Sequence, residues 1–457
     1  MNAIRQPGVD ASPVSITAIL SLALPSSAVF LVGTLVAVMM IRFAAGLGAD
    51  AVAAVSAGTR LYNVFFAVAT GINAGALALI ANAWGGGLRE EAEQYFVVSL
   101  LIALLLGAAV TLLTWIGADW LIGRFGLDPG AHASAVSFIC WLSLFYPLIG
   151  TSLVFGSGLR AAGDAHTPMF VALLVNLASA LLAWRWSIDP PFGHAPHVRF
   201  IALGMGLGNT AGFVLTILWW RSGRLRLAIA HPDRRYRERL RALWQIGYPA
   251  AVEQGLLQIG LIAFLWVVAH YGTAAFAAYG SSVSLMSLAM VVGFGFAIAV
   301  SVLVAQQLGA GSPANARRVA LRALGVTIAM LSVPGLLLAW YAHPVALWLT
   351  GDAAIADHMV PIIYAFTVTL PLLAVEFCIG GALRGAGDTR FPVFNVLVGL
   401  VVVRFGLALL LWQLDFAVEW IYATLIADYA VKSVLLMRRF RSSRWIKLPV
   451  AGAAPGE

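Results

Sequence analysis

Residues 158–168 read GLRAAGDAHTP, and residues 382–392 read ALRGAGDTRFP. Both stretches follow the pattern Leu-Arg-x-x-Gly-Asp with a proline four residues later, and they lie 224 positions apart. The same offset superposes further prolines and glycines without a gap between about residues 25 and 168: Pro25 on Pro249, Gly48 on Gly272, Gly71 on Gly295, Gly85 on Gly309 and Pro147 on Pro371. The chain is therefore an internal duplication.

The composition is that of a membrane protein. Of the 457 residues, 61% are hydrophobic and only 11% are charged, with a mean hydropathy of +0.91. A soluble protein would carry about a quarter charged residues. Apolar stretches of roughly 20 residues, enough to cross a hydrocarbon core as a helix, recur along the chain. We predict an all-α polytopic membrane protein with twelve transmembrane helices in two six-helix lobes related by a parallel internal repeat.

The basic residues predict the topology. With both termini inside, 22 of the 28 Lys and Arg fall on inner segments and four on outer loops, if Lys432 is counted with the C-terminal segment. Positive residues favour the cytoplasmic side. We therefore expect an N-terminal lobe at 1–220, an Arg-rich cytoplasmic linker at 221–243, a C-terminal lobe at 244–440 and a cytoplasmic tail at 441–457.

The net charge of +8 is explained by these loops, so no nucleic-acid partner is predicted. We expect a monomer in a bacterial-type inner membrane. A duplicated hydrophobic half indicates a transporter whose site lies between two lobes that rock against each other.

The chain has no pattern typical of an enzyme. The histidines lack metal-ligand spacing, and no Walker motif is present, so ATP is not the expected energy source. The glycine-rich residues 204–209, GMGLGN, lie within a predicted span and favour close helix packing over phosphate binding. No metal and no cofactor other than a coupling ion are predicted. Proline within the spans, at Pro25, Pro147, Pro249 and Pro371, favours kinks.

The doubled motif predicts a tight corner at the inner end of spans 4 and 10. Its glycines permit the turn, and Pro168 and Pro392 begin the next helix. Its aspartates, Asp164 and Asp388, can cap that helix or pair with the motif arginines, Arg160 and Arg384. The motif is either a structural corner or an inner gate whose Arg–Asp contacts change during transport.

These paired motifs strongly resemble those of the multidrug and toxic compound extrusion (MATE) family. Residues 47–58, LGADAVAAVSAG, and 271–282, YGTAAFAAYGSS, look like a second repeated element of that family, and residues 248–260, YPAAVEQGLLQIG, are similar to a start of span 7 seen in its bacterial members. The resemblance covers about residues 15–440. It implies an exporter of amphipathic, often cationic, small molecules in exchange for H+ or Na+, with substrate bound between the lobes.

One departure from the family concerns ion coupling. Many members carry an aspartate in span 1 at the position of Met40, and Asn176, at a polar position of the same lobe, cannot titrate. A carboxylate within a membrane span is costly and is a functional candidate by default. The candidates for ion coupling are therefore Glu253 first, then Glu376 and Asp428. For Asp428 a structural pair with Arg404 is also expected.

The duplication makes spans 1, 2, 7 and 8 facing pairs, and their aromatic, Met and amide side chains suit lipophilic cations. The predicted substrate-binding residues are Tyr62, Asn63, Phe66, Asn176, Gln254, Tyr279, Met286 and Met290. Two alternatives stay open. One is a flippase of lipid-linked precursors from the same superfamily, for which only Arg60 and Arg404 supply cavity cations. The other is a major-facilitator transporter, whose basic loop between spans 2 and 3 is not matched here.

Overall fold

A computed structural model describes residues 15–223, 225–228, 235–442 and 444–448, which are helical and include no β-strand. The helices of the first half are α1 (Ile16–Ala45), α2 (Ala49–Gly85), α3 (Arg89–Gly123), α4 (Pro129–Ser143), α5 (Tyr146–Ala161), α6 (His166–Ile188) and α7 (Val198–Arg221). Those of the second half are α8 (Tyr236–Ala269), α9 (Thr273–Gly309), α10 (Pro313–Trp340), α11 (Ala342–Thr350), α12 (Ala353–Gly385), α13 (Arg390–Val396), α14 (Gly406–Gln413) and α15 (Val418–Arg441), with a π-helix at Leu397–Phe405 between α13 and α14.

The twelve predicted spans are confirmed within the described ranges. Eleven helical segments are long and apolar enough to cross a membrane, among them the continuous run Arg390–Gln413, and the bent pair α4 and α5 makes the twelfth span. Large apolar side chains such as Leu112, Ile116 and Leu336 remain exposed on these helices, which is the pattern expected of surfaces that face lipid.

The predicted kink in span 4 is confirmed. The axes of α4 and α5 differ by 50°, and the break falls just before Pro147. The break frees the carbonyl of Ser143, which accepts a hydrogen bond from the Thr111 hydroxyl of α3. A neighbouring helix thus satisfies the backbone group that the break would leave bare in lipid. The other three prolines lie inside helices that continue through them.

The chain folds into two compact units. The N-terminal unit consists of residues 28–84 and 88–251, and its core gathers buried side chains of α2, α4, α5 and α7. The C-terminal unit consists of the described residues from 252 onward, together with the start of α1 up to Ser27 and the turn at 85–87. Its core gathers side chains of α8, α9, α12 and α15. The predicted residue boundaries of lobes, linker and tail stay a prediction.

Glycines bring α6 and α7 together in the N-terminal unit. A methyl group added at Gly204 would lie 2.5 Å from the backbone nitrogen of Ala183, and one added at Gly208 would lie 2.5 Å from that of Ser179. Only glycine allows the two backbones to approach so closely. The interpretation of residues 204–209 as a close-packing segment is therefore confirmed.

The doubled motif forms the same turn in both units. Gly163 and Gly387 each have a φ of 83°, in the left-handed region that favours glycine. The Asp164 amide donates to the Leu159 carbonyl over 2.9 Å, and the Asp388 amide donates to the Leu383 carbonyl over 2.8 Å. These bonds define a Schellman motif, which ends α5 and α12 and satisfies their last carbonyls.

A short segment after the sixth span of each unit reaches back to this turn. In the N-terminal unit the Arg226 guanidinium donates to the Ala162 carbonyl over 3.0 Å. In the C-terminal unit the backbone amides of Lys447 and Leu448 both donate to the Ala386 carbonyl over 3.0 Å. Ala162 and Ala386 are equivalent positions in the duplication. We call residues 225–228 the linker strap and residues 444–448 the C-terminal strap.

Candidate functional site

The first predicted coupling residue forms an ion pair with a residue of the corner motif. Glu253 lies on α8, four residues after Pro249, and its side chain is 4% exposed. The Arg384 guanidinium, from the last turn of α12, meets both carboxylate oxygens: Nη2 lies 2.5 Å from Oε1 and Nε lies 3.3 Å from Oε2. The two-point geometry gives a strong, oriented contact. The structure therefore unites two residues that were assigned separately to coupling and to the gate.

The other two predicted coupling residues share a lysine. The Lys432 ammonium, on α15, lies 3.1 Å from Oδ1 of Asp428 and 3.6 Å from Oε1 of Glu376 on α12. Asp428 is completely buried and Lys432 is 2% exposed. Apart from the Lys432 ammonium, no hydrogen-bond donor of the described residues reaches Oε2 of Glu376 or either carboxylate oxygen of Asp428. We call Glu376, Asp428 and Lys432 the buried triad.

Gly399 of the π-helix makes room for this triad. A methyl group at Gly399 would overlap Asp428 Oδ1 and the Cγ atom of Lys432. The absence of a side chain at this position thus lets the Asp428–Lys432 pair lie against the neighbouring span.

The predicted pairing of Asp428 with Arg404 is wrong. The Arg404 guanidinium donates to the Tyr279 hydroxyl over 2.8 Å and lies 4.2 Å above the Phe264 ring. Asp428 instead pairs within its own helix, because Lys432 lies four residues further along α15 and so faces the same side. Arg404 is therefore held by a cation–π contact and a neutral hydroxyl, and not by a carboxylate.

The motif aspartates do not pair with the motif arginines. Asp164 accepts a hydrogen bond from the Thr167 amide over 3.0 Å and so caps the start of α6. Asp388 is buried and accepts from Nε of Arg439 over 2.8 Å. Arg160 donates to the Ser157 hydroxyl over 3.0 Å, and in the described parts of the chain it has no carboxylate within ion-pair distance.

The structure brings some predicted substrate-binding residues together and separates others. In the N-terminal unit, the centroid of the Tyr62 ring lies 6.0 Å from those of the Phe66 and Tyr146 rings, while Asn63 is exposed. Asn176 is half-buried on α6 and its amide donates to the carbonyl one turn earlier, at Ala172.

In the C-terminal unit the predicted substrate-binding residues differ in burial. Met286 is buried on α9, and Met290, one turn further, is half-buried, as is Gln254 on α8. Tyr279 is 4% exposed and lies in the core with its hydroxyl bound to Arg404. Substrate binding by these residues stays a prediction.

Sequence reasoning missed Lys432. It was counted with the C-terminal segment, whereas it lies inside α15 and is buried. A signal was present: Asp428 and Lys432 are spaced by four residues in an apolar helix, the spacing at which opposite charges meet. Lys432 and Lys447 are the two lysines of the chain, so a buried lysine at this position stands out.

Comparisons with known proteins agree with the duplicated fold. The family model MatE matches twice, over residues 25–184 and 249–410, so the two matches begin 224 positions apart. A probable multidrug resistance protein NorM of Thermotoga maritima is 26% identical over 409 residues, covering 88% of this chain and 86% of that protein. An FAD transporter of Shewanella oneidensis is 24% identical over 332 residues, covering 69% and 70%. Among solved structures, a MOP superfamily transporter from Pyrococcus furiosus superposes with a TM-score of 0.88 at 20% identity, covering 97% of this chain and all of that one.

Proposed function

Since the chain belongs to the MatE family, whose members are membrane transporters and not enzymes, we propose that it is a secondary antiporter. It exports amphipathic, cationic small molecules in exchange for H+ or Na+ by alternating access. We place it in a bacterial inner membrane as a monomer with both termini in the cytoplasm, without nucleic acid or cofactor. The relatives support the substrate class, because they include proteins named for multidrug resistance.

The observation that carries this proposal is the Glu253–Arg384 pair. A buried carboxylate with one charged partner can exchange that partner for a coupling ion, since the ion replaces the charge that the arginine supplied. When Glu253 takes up an ion, Arg384 loses its partner. Arg384 lies three residues before the left-handed Gly387, within the turn that joins α12 to α13. Loss of its ion pair therefore frees a side chain of that turn to change its contacts. Ion uptake thereby changes the end of the helix that carries the site.

The matching positions of the N-terminal unit carry no carboxylate. Val29 is the repeat counterpart of Glu253, and Met40 occupies the position in span 1 at which the family resemblance implies an aspartate. Both side chains are apolar, so neither position can take up an ion. We therefore assign coupling to the C-terminal unit, with Glu253 as its first carboxylate.

The flippase alternative is not favoured, since only one of the two cations that it would need at a pyrophosphate, Arg60 and Arg404, is available. Arg404 is buried under its contacts with Tyr279 and Phe264. The major-facilitator alternative is wrong, because both halves match the MatE model.

The test is transport in proteoliposomes with a pH gradient and a Na+ gradient imposed separately, using a fluorescent lipophilic cation as the substrate. Glu253→Gln should abolish gradient-driven export, whereas Glu419→Gln, which neutralises an exposed carboxylate at the start of α15, should not. Because Glu253→Gln leaves Arg384 unpaired, the double variant Glu253→Gln/Arg384→Gln is needed as well. It should fold like the wild type and still fail to couple. Gradient-driven export by the double variant would contradict the assignment.

A further inference from the structure

The buried triad has a charge count that bears on the choice of coupling ion. Its two carboxylates and one ammonium sum to one negative charge when all are ionised. The nearby Glu253–Arg384 pair is neutral, and Arg404, which interacts electrostatically with Asp428, adds one positive charge. Three carboxylates thus meet three protein cations in this part of the C-terminal unit: Glu253, Glu376 and Asp428 against Arg384, Lys432 and Arg404.

Lys432 faces charged or titratable groups from each of the neighbouring helices. Asp428 and Tyr429 come from its own helix, with the Tyr429 ring 4.9 Å from the ammonium. Glu376 comes from α12, where Glu253 and Arg384 are also within electrostatic reach of that carboxylate. Arg404 comes from the π-helix and, with Tyr279 of α9, acts on Tyr429. The ammonium is therefore held by carboxylates on one helix pair, α12 and α15.

A metal cation at these carboxylates would compete directly with Lys432. Hard cations bind several oxygen ligands at short range. A Na+ ion at this site would therefore have to be coordinated by oxygens of both Glu376 and Asp428. The ammonium already lies 3.1 and 3.6 Å from those same oxygens. Two positive charges a few ångströms apart in a buried site repel strongly. The Lys432 ammonium thus already occupies the position that a metal ion would need.

A proton faces no such competition. It binds to one carboxylate oxygen of the pair, and Lys432 stays paired with the other carboxylate. The proton comes from water on one side of the membrane and returns to water on the other, so no further reactant is needed. The two carboxylates then allow Lys432 to shift between partners while the triad changes by one charge.

We propose that Lys432 is a resident cation that closes the Glu376–Asp428 pair to Na+, just as Arg384 occupies both carboxylate oxygens of Glu253, and that the C-terminal unit is thereby selective for H+ as the coupling ion. The inference rests on the proposed antiport and deepens it, since that function leaves the ion open. Lys432 is a specificity-determining residue, and it acts by occupying the site.

The first experiment measures Na+ binding without transport. Thermal unfolding of the purified protein in detergent is followed at equal ionic strength in NaCl and in choline chloride. The wild type should unfold at the same temperature in both salts. Lys432→Gln removes the resident charge and should gain a saturable stabilisation by Na+. Lys447→Gln, the matched control at the other lysine, which is exposed, should behave like the wild type.

The second experiment uses transport and a charge-conserving variant. Lys432→Gln should respond to a Na+ gradient, with substrate affinity lowered by about tenfold in Na+, since the ion and the substrate of an exchanger oppose each other's binding and a tenfold effect is a usual size of coupling between two sites. Lys432→Arg keeps a cation at the pair and should show no Na+ response. If Lys432→Gln does not fold, the double variant Lys432→Gln/Asp428→Asn removes one charge of each sign. It tests whether Glu376 binds Na+ once the lysine is absent.

Two results would overturn the inference. One is saturable stabilisation of the wild type by Na+. The other is a folded Lys432→Gln protein that neither binds Na+ nor responds to its gradient. Failure of the antiport itself is distinguishable, because the binding experiment gives its answer even if neither the wild type nor any variant transports the substrate.

Discussion

The two halves of this chain build the same corner and use its arginine differently. Arg384 of the C-terminal unit meets Glu253 at two points, while its repeat counterpart Arg160 donates to the neutral Ser157 hydroxyl. The difference arises from one position on the first helix of each repeat, which is Glu253 in one half and Val29 in the other. The duplicated scaffold thus keeps its backbone turn in both halves, while the buried carboxylates among the described residues, Glu253, Asp388 and Asp428, all lie in one.

The largest expected effect separates the two arginines. Arg384→Gln leaves Glu253 buried without a partner, and breaking a buried pair in this way costs about 3–5 kcal/mol. Arg160→Gln removes a hydrogen bond to a hydroxyl, which costs about 1.5–3 kcal/mol for a charged donor. Thermal unfolding of both variants in the same detergent measures the difference. If the two variants lost the same stability, Arg160 would have to make a contact as strong as the ion pair of Arg384. The corners of the two halves would then not differ in this respect.

A second comparison concerns the motif aspartates. Asp388→Asn weakens the buried contact with Arg439 and should cost about 1.5–3 kcal/mol, the range for hydrogen bonds to charged groups. Asp164→Asn should be almost neutral, because asparagine caps helices about as well as aspartate. Unfolding temperatures of the two variants provide the measurement. A larger loss from Asp164→Asn than from Asp388→Asn would show that the charge of Asp164 matters beyond its cap.

The smallest effect tests the room that the π-helix leaves for the triad. Gly399→Ala places a methyl group against Asp428 and Lys432, and such overpacking costs about 1–3 kcal/mol. Gly325→Ala, within α10, meets no atom within 4 Å and should stabilise its helix by up to about 1 kcal/mol. Opposite signs of the shift in unfolding temperature would confirm the crowding at Gly399, whereas a harmless Gly399→Ala would argue against it.

The fold was predictable because its signals repeat. Long apolar runs predict the spans, and the motif at a constant offset predicts the duplication. The left-handed glycines and the bend before Pro147 follow from local chemistry that single residues reveal. The family resemblance rested on the same doubled motif, and the MatE match over both halves confirms it.

The partners of the buried charges were harder to predict from the sequence. Depth along a span can be estimated from sequence, and equal depth suggested Asp428 and Arg404 as a pair. Which side of a helix a residue faces depends on the rotation of that helix. The π-helix at Leu397–Phe405 changes this rotation by widening the backbone turn, and no residue in LVGLVVVRF predicts it. Arg404 consequently meets Tyr279 and Phe264. The partner of Asp428 was within reach of the sequence, one helical turn away at Lys432.

The C-terminal strap has a practical consequence for anyone who trims or labels this protein. Trp445 is 2% exposed and stacks on Phe440 with 4.9 Å between ring centroids, and two amides behind it close the last carbonyl of the α12 turn. A purification tag or fluorescent reporter fused directly after Arg441 would remove the C-terminal strap and leave a cavity the size of an indole ring at the end of α15. Fusions should therefore begin no earlier than residue 449, even though the final transmembrane helix ends several residues before that point.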